Sequence, residues 1–184
     1  MAEHVGQWLY EEGIAYWNGM DFKKKDKKRG RLMVEASASS GFPMAVAFCH
    51  YMGWNGTEKD RKKAVAMYVK IEQETKGYHW AQLCLAQCYE NGRKGCVQNY
   101  TKAFQWYTQS ADLGNSDAMN NLGICYEDGQ GCVQNMTTAI EWYKKSAQLG
   151  CIQAINRNEQ LHTSKRRKTE ASTGTSDSDS DNDL

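Results

Sequence analysis

A repeat of 36 residues constrains the fold of this chain more than any other feature of its sequence. The stretch Gly95-Cys96-Val97-Gln98-Asn99 returns as Gly131-Cys132-Val133-Gln134-Asn135, and Trp106-Tyr107 returns as Trp142-Tyr143. A fixed period of about 20 to 50 residues is typical of repeat architectures, in which each unit packs only against its neighbours. The same phase continues backwards with weaker matches, and we therefore predict four copies, at about residues 9–44, 45–80, 81–117 and 118–150.

Each copy contains two amphipathic segments separated by turn residues. In the third copy, Ala81, Leu85 and Cys88 recur at helical spacing until Asn91-Gly92 ends the run, and a second helical run follows Asn99. One such hairpin cannot bury its apolar stripe alone, so the copies must stack on one another. The sequence therefore predicts an all-α domain over residues 1–162, an α/α solenoid of four helical hairpins with a closing helix at 151–162.

A capping residue precedes the second helix of every predicted copy. Asn and Asp side chains at this place accept a hydrogen bond from the free amides of the first helical turn. The predicted caps are Asp26, Asp60, Asn99 and Asn135.

The fourth copy carries a set of residues that resembles one known repeat family. These residues are Leu122-Gly123, Tyr126, Gly129-Gln130-Gly131, Asn135, Ala139, Trp142-Tyr143, Ser146-Ala147 and Gly150. Together they resemble the Sel-like (Sel-one) repeat family, which is related to tetratricopeptide repeats. The resemblance is strong over residues 81–150, recognisable over 45–80 and weak over 9–44.

The resemblance implies a right-handed superhelix of helix pairs whose members act as adaptors or scaffolds, with the ligand on the concave face. We therefore expect a non-catalytic protein that binds a peptide or protein partner and needs no cofactor. The first helix of each hairpin lines the groove in such a stack. Its groove-facing positions are Tyr10, Ile14, Trp17, Tyr51, Trp54, Leu83, Gln87, Glu90, Asn120, Ile124 and Glu127.

The predicted groove positions are neutral or acidic. Related tetratricopeptide proteins that bind acidic carboxy-terminal tails place Lys and Arg at the matching positions. A neutral or basic peptide is therefore the expected ligand.

The alternative is an enzyme on the same scaffold, either a β-lactamase-like hydrolase or a metal-dependent enzyme. The cysteine-rich bacterial branch of the family pairs Cys near positions that are alanine here, namely Ala111, Ala118, Ala147 and Ala154. Cys84 and Cys88 lie four residues apart, but no further ligand falls at zinc-site spacing, so we predict buried thiols and no metal site. Cys96 and Cys132 occupy a repeated turn and are expected to be partly exposed free thiols.

Charge and hydropathy narrow the possible partners. The formal net charge is +1, so the whole chain has no strong attraction for nucleic acid. A basic run extends from Lys23 to Arg31, but no interleaved aromatic residues follow it to stack bases, so nucleic-acid binding is not indicated. Met1–Tyr10 lacks the features of a signal peptide and no later segment is apolar enough to span a bilayer, so we expect an intracellular protein without a membrane partner.

Residues 163–184 lack aromatic side chains, and we predict a disordered tail that is basic and then acidic. The basic cluster Lys165, Arg166, Arg167 and Lys168 resembles a nuclear signal that importin reads, which favours the nucleus, the cytoplasm or both as the location. Ser176, Ser178 and Ser180 stand beside acidic residues and are candidate sites for acidophilic kinases.

Deletion of residues 164–184 tests the nuclear signal. Because the deletion removes the basic cluster, we expect the truncated protein to lose nuclear entry when the two forms are imaged in cells. Unchanged nuclear entry would exclude this cluster as the signal.

Overall fold

The structure is a computed structural model that describes residues 2–18, 24–75, 77–92 and 96–173. Within these ranges the chain forms nine α-helices and no strand. They are α1 (Ala2–Asn18), α2 (Lys27–Ser39), α3 (Pro43–Met52), α4 (Arg61–Thr75), α5 (His79–Asn91), α6 (Tyr100–Asp112), α7 (Ser116–Asp128), α8 (Met136–Gln148) and α9 (Ile152–Thr173).

The first eight helices form four hairpins, and each hairpin packs against the next. Helices α1, α3, α5 and α7 are the first helices of the hairpins, and each packs most extensively on the helix that follows it. The second helices α2, α4, α6 and α8 in turn pack on α3, α5, α7 and α9. The predicted all-α solenoid is therefore confirmed.

The predicted capping residues begin the second helices. The Oδ1 atoms of Asp26 and Asp60 accept from the amides of Arg29 and Lys63, in both cases at 3.0 Å. In the later copies Asn99 accepts from Lys102 at 2.9 Å and Asn135 accepts from Thr138 at 3.1 Å. Each bond satisfies an amide that has no partner inside its helix, which explains why a cap recurs at this place in every copy.

Tyr89 and Tyr126 occupy matching places in neighbouring hairpins. The carbonyl of Tyr89 accepts from the amide of Asn99 at 2.9 Å, and the carbonyl of Tyr126 accepts from the amide of Asn135 at 2.8 Å. The connection between the two helices of each hairpin is thus held in the same way in both copies.

A serine joins the second helix to the start of the first in three hairpins. The buried hydroxyl of Ser146 donates to the carbonyl of Ser116 at 2.7 Å, and Ser110 donates to the carbonyl of His79 at 2.7 Å. Ser37 donates to the carbonyl of Gly6 at 2.6 Å in the first hairpin. Each bond gives a buried serine hydroxyl an acceptor in the first or second turn of the first helix, and it ties the two helices of the hairpin together.

Helix α9 is longer than the closing helix that the sequence predicts. The prediction ends this helix at residue 162 and expects disorder after it, whereas the helix continues to Thr173. Lys, Arg, Glu and Ala form helices readily, and extending an existing helix avoids the cost of nucleation, which accounts for the difference. The side chains of 164–173, including the predicted nuclear signal, and residues Ser176, Ser178 and Ser180 lie outside the described part of the chain.

Two glycines with positive φ provide a matched test of the contact between hairpins. A Cβ at Gly131 would lie 2.2 Å from the carbonyl oxygen of Tyr100, whereas a Cβ at Gly114 would meet nothing within 4 Å. We expect Gly114→Ala to lower the free energy of unfolding by about 1 kcal/mol through its backbone conformation alone. Gly131→Ala adds a clash with backbone and should cost about 3 kcal/mol or more. Urea unfolding followed by circular dichroism measures both, and equal losses would contradict the close contact.

Candidate partner-binding site

A small cavity opens on the face formed by the first helices of the first three hairpins. Its volume is about 180 Å³, which is below the range of about 300–1,000 Å³ that is typical of small-molecule sites. The lining residues include six of the predicted groove positions, namely Tyr10, Ile14, Trp17, Tyr51, Leu83 and Gln87. Asn18, Phe48, Met52, Trp80 and Cys84 complete the wall. The structure therefore brings together predicted residues from three separate hairpins.

Packed aromatic rings hold the wall of this groove cavity in place. Trp17 of α1 meets Trp54 of the α3–α4 connection edge to face, with ring centroids 4.7 Å apart. Tyr10 makes edge contacts at 6.2 Å with both Phe48 and Trp80. Such contacts are favourable beyond the area that they bury, and here they join α1 to α3 and α5. The cavity is consequently formed before any ligand arrives.

Several predicted groove residues are buried and form the wall of the site without offering an accessible side chain. Tyr10 is 0% exposed, and Ile14 and Leu83 are each 3% exposed. Trp54 is 7% exposed and packs behind Trp17 without lining the cavity. Helical phase identifies which side of a helix faces the groove, but it does not show that rings from neighbouring hairpins will cover that side. We therefore assign Tyr10, Ile14 and Leu83 to the wall and Trp54 to the packing behind it.

Three of the predicted residues remain accessible at the cavity. Trp17, Tyr51 and Gln87 are half-buried, and they come from α1, α3 and α5. Two aromatic rings and one amide can bury an apolar side chain and bind a backbone amide or carbonyl at the same time.

The predicted glutamates of the third and fourth hairpins are held inside the solenoid. Tyr107 donates to Oε2 of Glu90 at 3.0 Å, and Tyr143 donates to Oε2 of Glu127 at 2.6 Å. Burial raises the pKa of Tyr107 and of Tyr143 well above the ordinary value for tyrosine, and the neighbouring glutamate raises it further. Each hydroxyl therefore keeps its proton and remains a donor. Each glutamate thus accepts a hydrogen bond from the second helix of its hairpin, and contact of Glu90 and Glu127 with a ligand stays a prediction.

Helix α9 covers the end of the groove at the fourth hairpin. Arg157 donates from Nε to Oε2 of Glu127 at 3.1 Å and also donates from Nη2 to Oε1 of the same residue. These bonds are the main cause of the raised pKa of Arg157. Ile124 packs in the same cluster as Leu161 of α9. Asn120 is half-buried on α7, and neither it nor Ile124 lines the cavity.

A second, more polar cavity of about 250 Å³ lies beside the first, where α1 approaches α5 and the start of α7. Trp80 lines both cavities, and Trp8, Glu11, Glu12 and His79 line only the polar one. Gly114, Asn115 and Ser116 complete its wall, and Nδ2 of Asn115 lies 2.9 Å from Nδ1 of His79. Burial lowers the pKa of His79, with Glu11 acting in the opposite direction, so the imidazole favours its neutral form. None of the described residues that line either cavity is Lys or Arg.

Sequence reasoning missed the polar cavity. Trp8 precedes the predicted first repeat and Glu11 and Glu12 lie near its start, and they line a cavity with His79 only because the stack curves. The curvature also brings Asn18 of α1 to Asp117 of α7, where Nδ2 donates to Oδ2 at 3.0 Å across a separation of 99 residues. No periodic signal in the sequence encodes contacts between hairpins that are not neighbours.

The cysteines are free thiols with little thiolate character. Burial raises the pKa of Cys49 to about 11 and the pKa values of Cys84 and Cys125 to about 12. Cys96 and Cys132 are half-buried, as predicted, and burial raises their pKa values as well. A thiol needs its thiolate to act as a nucleophile or metal ligand. Among the described residues, no three His, Cys, Asp or Glu side chains are grouped in a way that could hold a metal ion.

The alanines that replace the cysteines of the bacterial branch lie inside the solenoid. Ala111, Ala118 and Ala154 are buried, and half-buried Ala147 packs against the cluster that contains Ala154. Over the part of the chain that the structure describes, no helix is both long and apolar enough to cross a bilayer.

Comparison with known proteins identifies the family. A model of the Sel1 repeat matches residues 6–42, 44–71, 81–115 and 116–151, which together make up most of the chain. The chain belongs to the Sel1 repeat family. Proteins of this family generally mediate protein–protein interactions and are typically non-catalytic scaffolds.

The individual proteins to which the chain is similar share only about a quarter of its residues over the matched regions. Chitin synthase regulatory factor 3 of Schizosaccharomyces pombe is 24% identical over 123 residues, which are 64% of this chain and 13% of the relative. Chitin synthase regulatory factor 2 of the same yeast is 27% identical over 138 residues, or 70% of this chain and 26% of the relative. The chain thus spans only 13% and 26% of the lengths of these two curated relatives.

A solved structure shows the same fold. It is c5321, a protective antigen of uropathogenic Escherichia coli strains that displays an SLR fold. The likeness has a TM-score of 0.57 at 25% identity and covers 83% of this chain and 32% of that protein.

The buried thiols predict a loss of stability in alkali. A pKa that is higher in the folded state than in the unfolded state contributes stability that is complete below the unfolded value and is lost as the pH rises towards the folded value. For Cys84 this window begins at about pH 8.5 and ends at about 12. Within it, we expect each such thiol to lower the free energy of unfolding by up to about 1.4 kcal/mol per pH unit.

Urea unfolding at several pH values between 8 and 11 measures this slope. Cys84→Ala should make the slope shallower, whereas Cys132→Ala, at a half-buried position, should change it less. A free energy of unfolding that stays constant across this range would contradict the assignment of buried, protonated thiols.

Proposed function

We propose that this chain is a non-catalytic scaffold that holds a segment of another protein on its concave face, in the groove cavity between α1, α3 and α5. The observation that carries the proposal is the wall of that cavity. Half-buried Trp17, Tyr51 and Gln87 from three different hairpins converge there above a floor of buried aromatic rings. A cavity of this kind suits an anchoring side chain of a peptide better than a cofactor or a metabolite.

The chemistry of the wall favours an extended peptide. Gln87 can donate to a peptide carbonyl and accept from a peptide amide, and the rings of Trp17 and Tyr51 can enclose an apolar side chain at small entropic cost. Because aromatic contacts already hold the side chains of the wall in place, these side chains lose little conformational entropy when a peptide binds, which favours affinity.

The charges near the groove favour a neutral or basic segment. The adjoining polar cavity carries the carboxylates of Glu11 and Glu12 beside the exposed ring of Trp8, and no Lys or Arg lines either cavity among the described residues. A basic side chain that extends from a bound peptide into the polar cavity would meet opposite charge and an aromatic face. An acidic segment would meet repulsion at the same place.

The relatives are consistent with a role in binding. By their names, the two yeast relatives are regulatory factors of an enzyme, chitin synthase. Regulation of an enzyme through contact requires a protein-binding surface and no chemistry of its own. We make no assignment of the same target, since this chain corresponds to only a small part of each relative.

We also propose that the chain enters the nucleus. The proposal rests on the basic cluster Lys165, Arg166, Arg167 and Lys168 at the end of α9, which importin would read. Phosphorylation of Ser176, Ser178 and Ser180 would add negative charge a short distance after this cluster.

Filling the cavity tests the groove proposal. Gln87→Arg places a longer charged side chain among the groove residues, and Gln105→Arg makes the same chemical change at an exposed position on α6. On an array of neutral, basic and acidic 15-residue peptides, we expect the unaltered chain to bind neutral or basic sequences. Gln87→Arg should weaken that binding by about tenfold, measured by fluorescence anisotropy.

The matched control defines the result. Gln105→Arg should bind like the unaltered chain, and both variants should unfold at about the same urea concentration, within about 0.5 kcal/mol. If neutral and basic peptides bind equally well to both variants, or do not bind at all, the groove is not the binding site.

A further inference from the structure

A positively charged surface lies at the connections between the helices of the first two hairpins. We call this surface the basic edge. It consists of Lys24, Lys25, Lys27, Lys28, Arg29, Arg31, Lys59, Arg61, Lys62 and Lys63, which are all exposed except for half-buried Arg61. The six cations from residue 24 to residue 31 form one run in the sequence, and the four from residue 59 to residue 63 form a second run in the next hairpin.

The fold joins the two groups of cations into one surface. The guanidinium of Arg31 on α2 lies over the ring of Trp54, 5.3 Å from its centroid, in the connection that leads to Lys59. In the same connection, the amide of Asn55 donates to Oε1 of Glu35 on α2 at 3.1 Å. The connection between α3 and α4 is therefore fastened against α2.

Aromatic rings beneath the surface hold several of these cations in position. Lys27 lies 5.3 Å from the centroid of Trp17, and Arg29 lies 4.3 Å from the centroid of Tyr16. Arg61 lies 5.5 Å from the centroid of Tyr51. A cation that rests on a ring has lost part of its conformational freedom before a ligand arrives, which lowers the cost of binding.

Six of these cations lie at the N-termini of α2 and α4, where positive charge destabilises the helix that carries it. The first turns of α2 and α4 contain Lys27, Lys28, Arg29, Arg61, Lys62 and Lys63 and no acidic residue. Positive charge at a helix N-terminus is unfavourable, because that end of the helix is already positive. The caps Asp26 and Asp60 each direct one carboxylate oxygen to a backbone amide, so they offset this charge only in part.

The basic edge also contains an unsatisfied donor. Nε of Arg61 is buried and has no hydrogen-bond partner among the described residues. Arg61 lines a cavity of about 280 Å³ together with Lys59, Asp60 and Lys62. Counting the acidic residues Asp26, Glu35, Glu58 and Asp60, this surface holds ten cations against four carboxylates. The cations of this surface therefore outnumber the carboxylates that lie on it.

We propose that the basic edge binds an acidic segment of a protein, a run of Asp and Glu or of phosphorylated Ser and Thr. Ten cations on one surface are complementary to such a run. A protein segment is favoured over nucleic acid because the rings at this surface are already covered. Tyr16, Trp17, Tyr51 and Trp54 each lie beneath a cation, which occupies the ring face that a base would need on this surface. This surface is separate from the groove cavity and would take a ligand of the opposite charge.

A charge reversal with a matched control tests the proposal. The probe is a fluorescent octa-aspartate peptide, with an octa-glutamine peptide and a duplex DNA of 20 base pairs for comparison. Lys28→Glu combined with Lys62→Glu alters two exposed positions of the basic edge. The control combines Lys70→Glu with Lys144→Glu, which are exposed positions on α4 and α8 away from the edge. Both pairs change the net charge equally.

We expect the loss of octa-aspartate binding to depend on where the altered residues lie and not on the net charge alone. The edge pair should weaken octa-aspartate binding by about tenfold, and the control pair by less than about twofold. The milder pair Lys28→Gln and Lys62→Gln should weaken binding by about threefold. The edge pair should melt no lower than the unaltered chain, since glutamate at a helix N-terminus is favourable.

Three outcomes would overturn the proposal. Equal losses for the edge and control pairs would show that net charge alone attracts the peptide. Tight binding of the duplex without binding of octa-aspartate would assign the surface to nucleic acid. No binding of octa-aspartate to the unaltered chain at low salt would show that the basic edge does not take an acidic segment.

Discussion

Each hairpin of this chain can bury its apolar side only against the next hairpin, and the rest of the structure depends on that constraint. Tyr107 and Tyr143 are 0% exposed because each lies between the first helix of its hairpin and the element that follows, a hairpin for Tyr107 and α9 for Tyr143. The serine bonds and the caps hold the two helices of each hairpin together, and the close approach of Gly131 to Tyr100 joins the fourth hairpin to the third. A groove with walls from several hairpins is the geometric result of that regular stacking.

The features that repeat could be predicted from the sequence. The 36-residue period, the caps at Asn99 and Asn135, and the matching places of Tyr89 and Tyr126 depend on contacts within a hairpin or between neighbours. Such contacts recur with the period, so a residue pattern reports them directly. The same phase identified most of the residues that line the groove cavity, because helical periodicity determines which side of a first helix faces the groove.

The features that do not repeat could not be predicted. Arg157 binds Glu127 because α9 takes the place beside α8 that another hairpin would take, and the described residues of the earlier copies show no such pair. The burial of Tyr10 and the contact of Asn18 with Asp117 depend on how strongly the stack curves, which is the sum of small rotations at every interface. Which groove positions stay accessible is decided by that curvature, and periodicity carries no information about it.

The rings of Trp17 and Tyr51 belong to both surfaces. They line the groove cavity, and Lys27 and Arg61 lie over them. A guest that shifts either ring would also move the cation resting on it, so the two surfaces share a mechanical element. Thermodynamic linkage then requires reciprocity: whatever factor one occupant imposes on the affinity of the other is imposed equally in return. Such an arrangement would let a scaffold without chemistry report on one guest by the strength with which it retains a second.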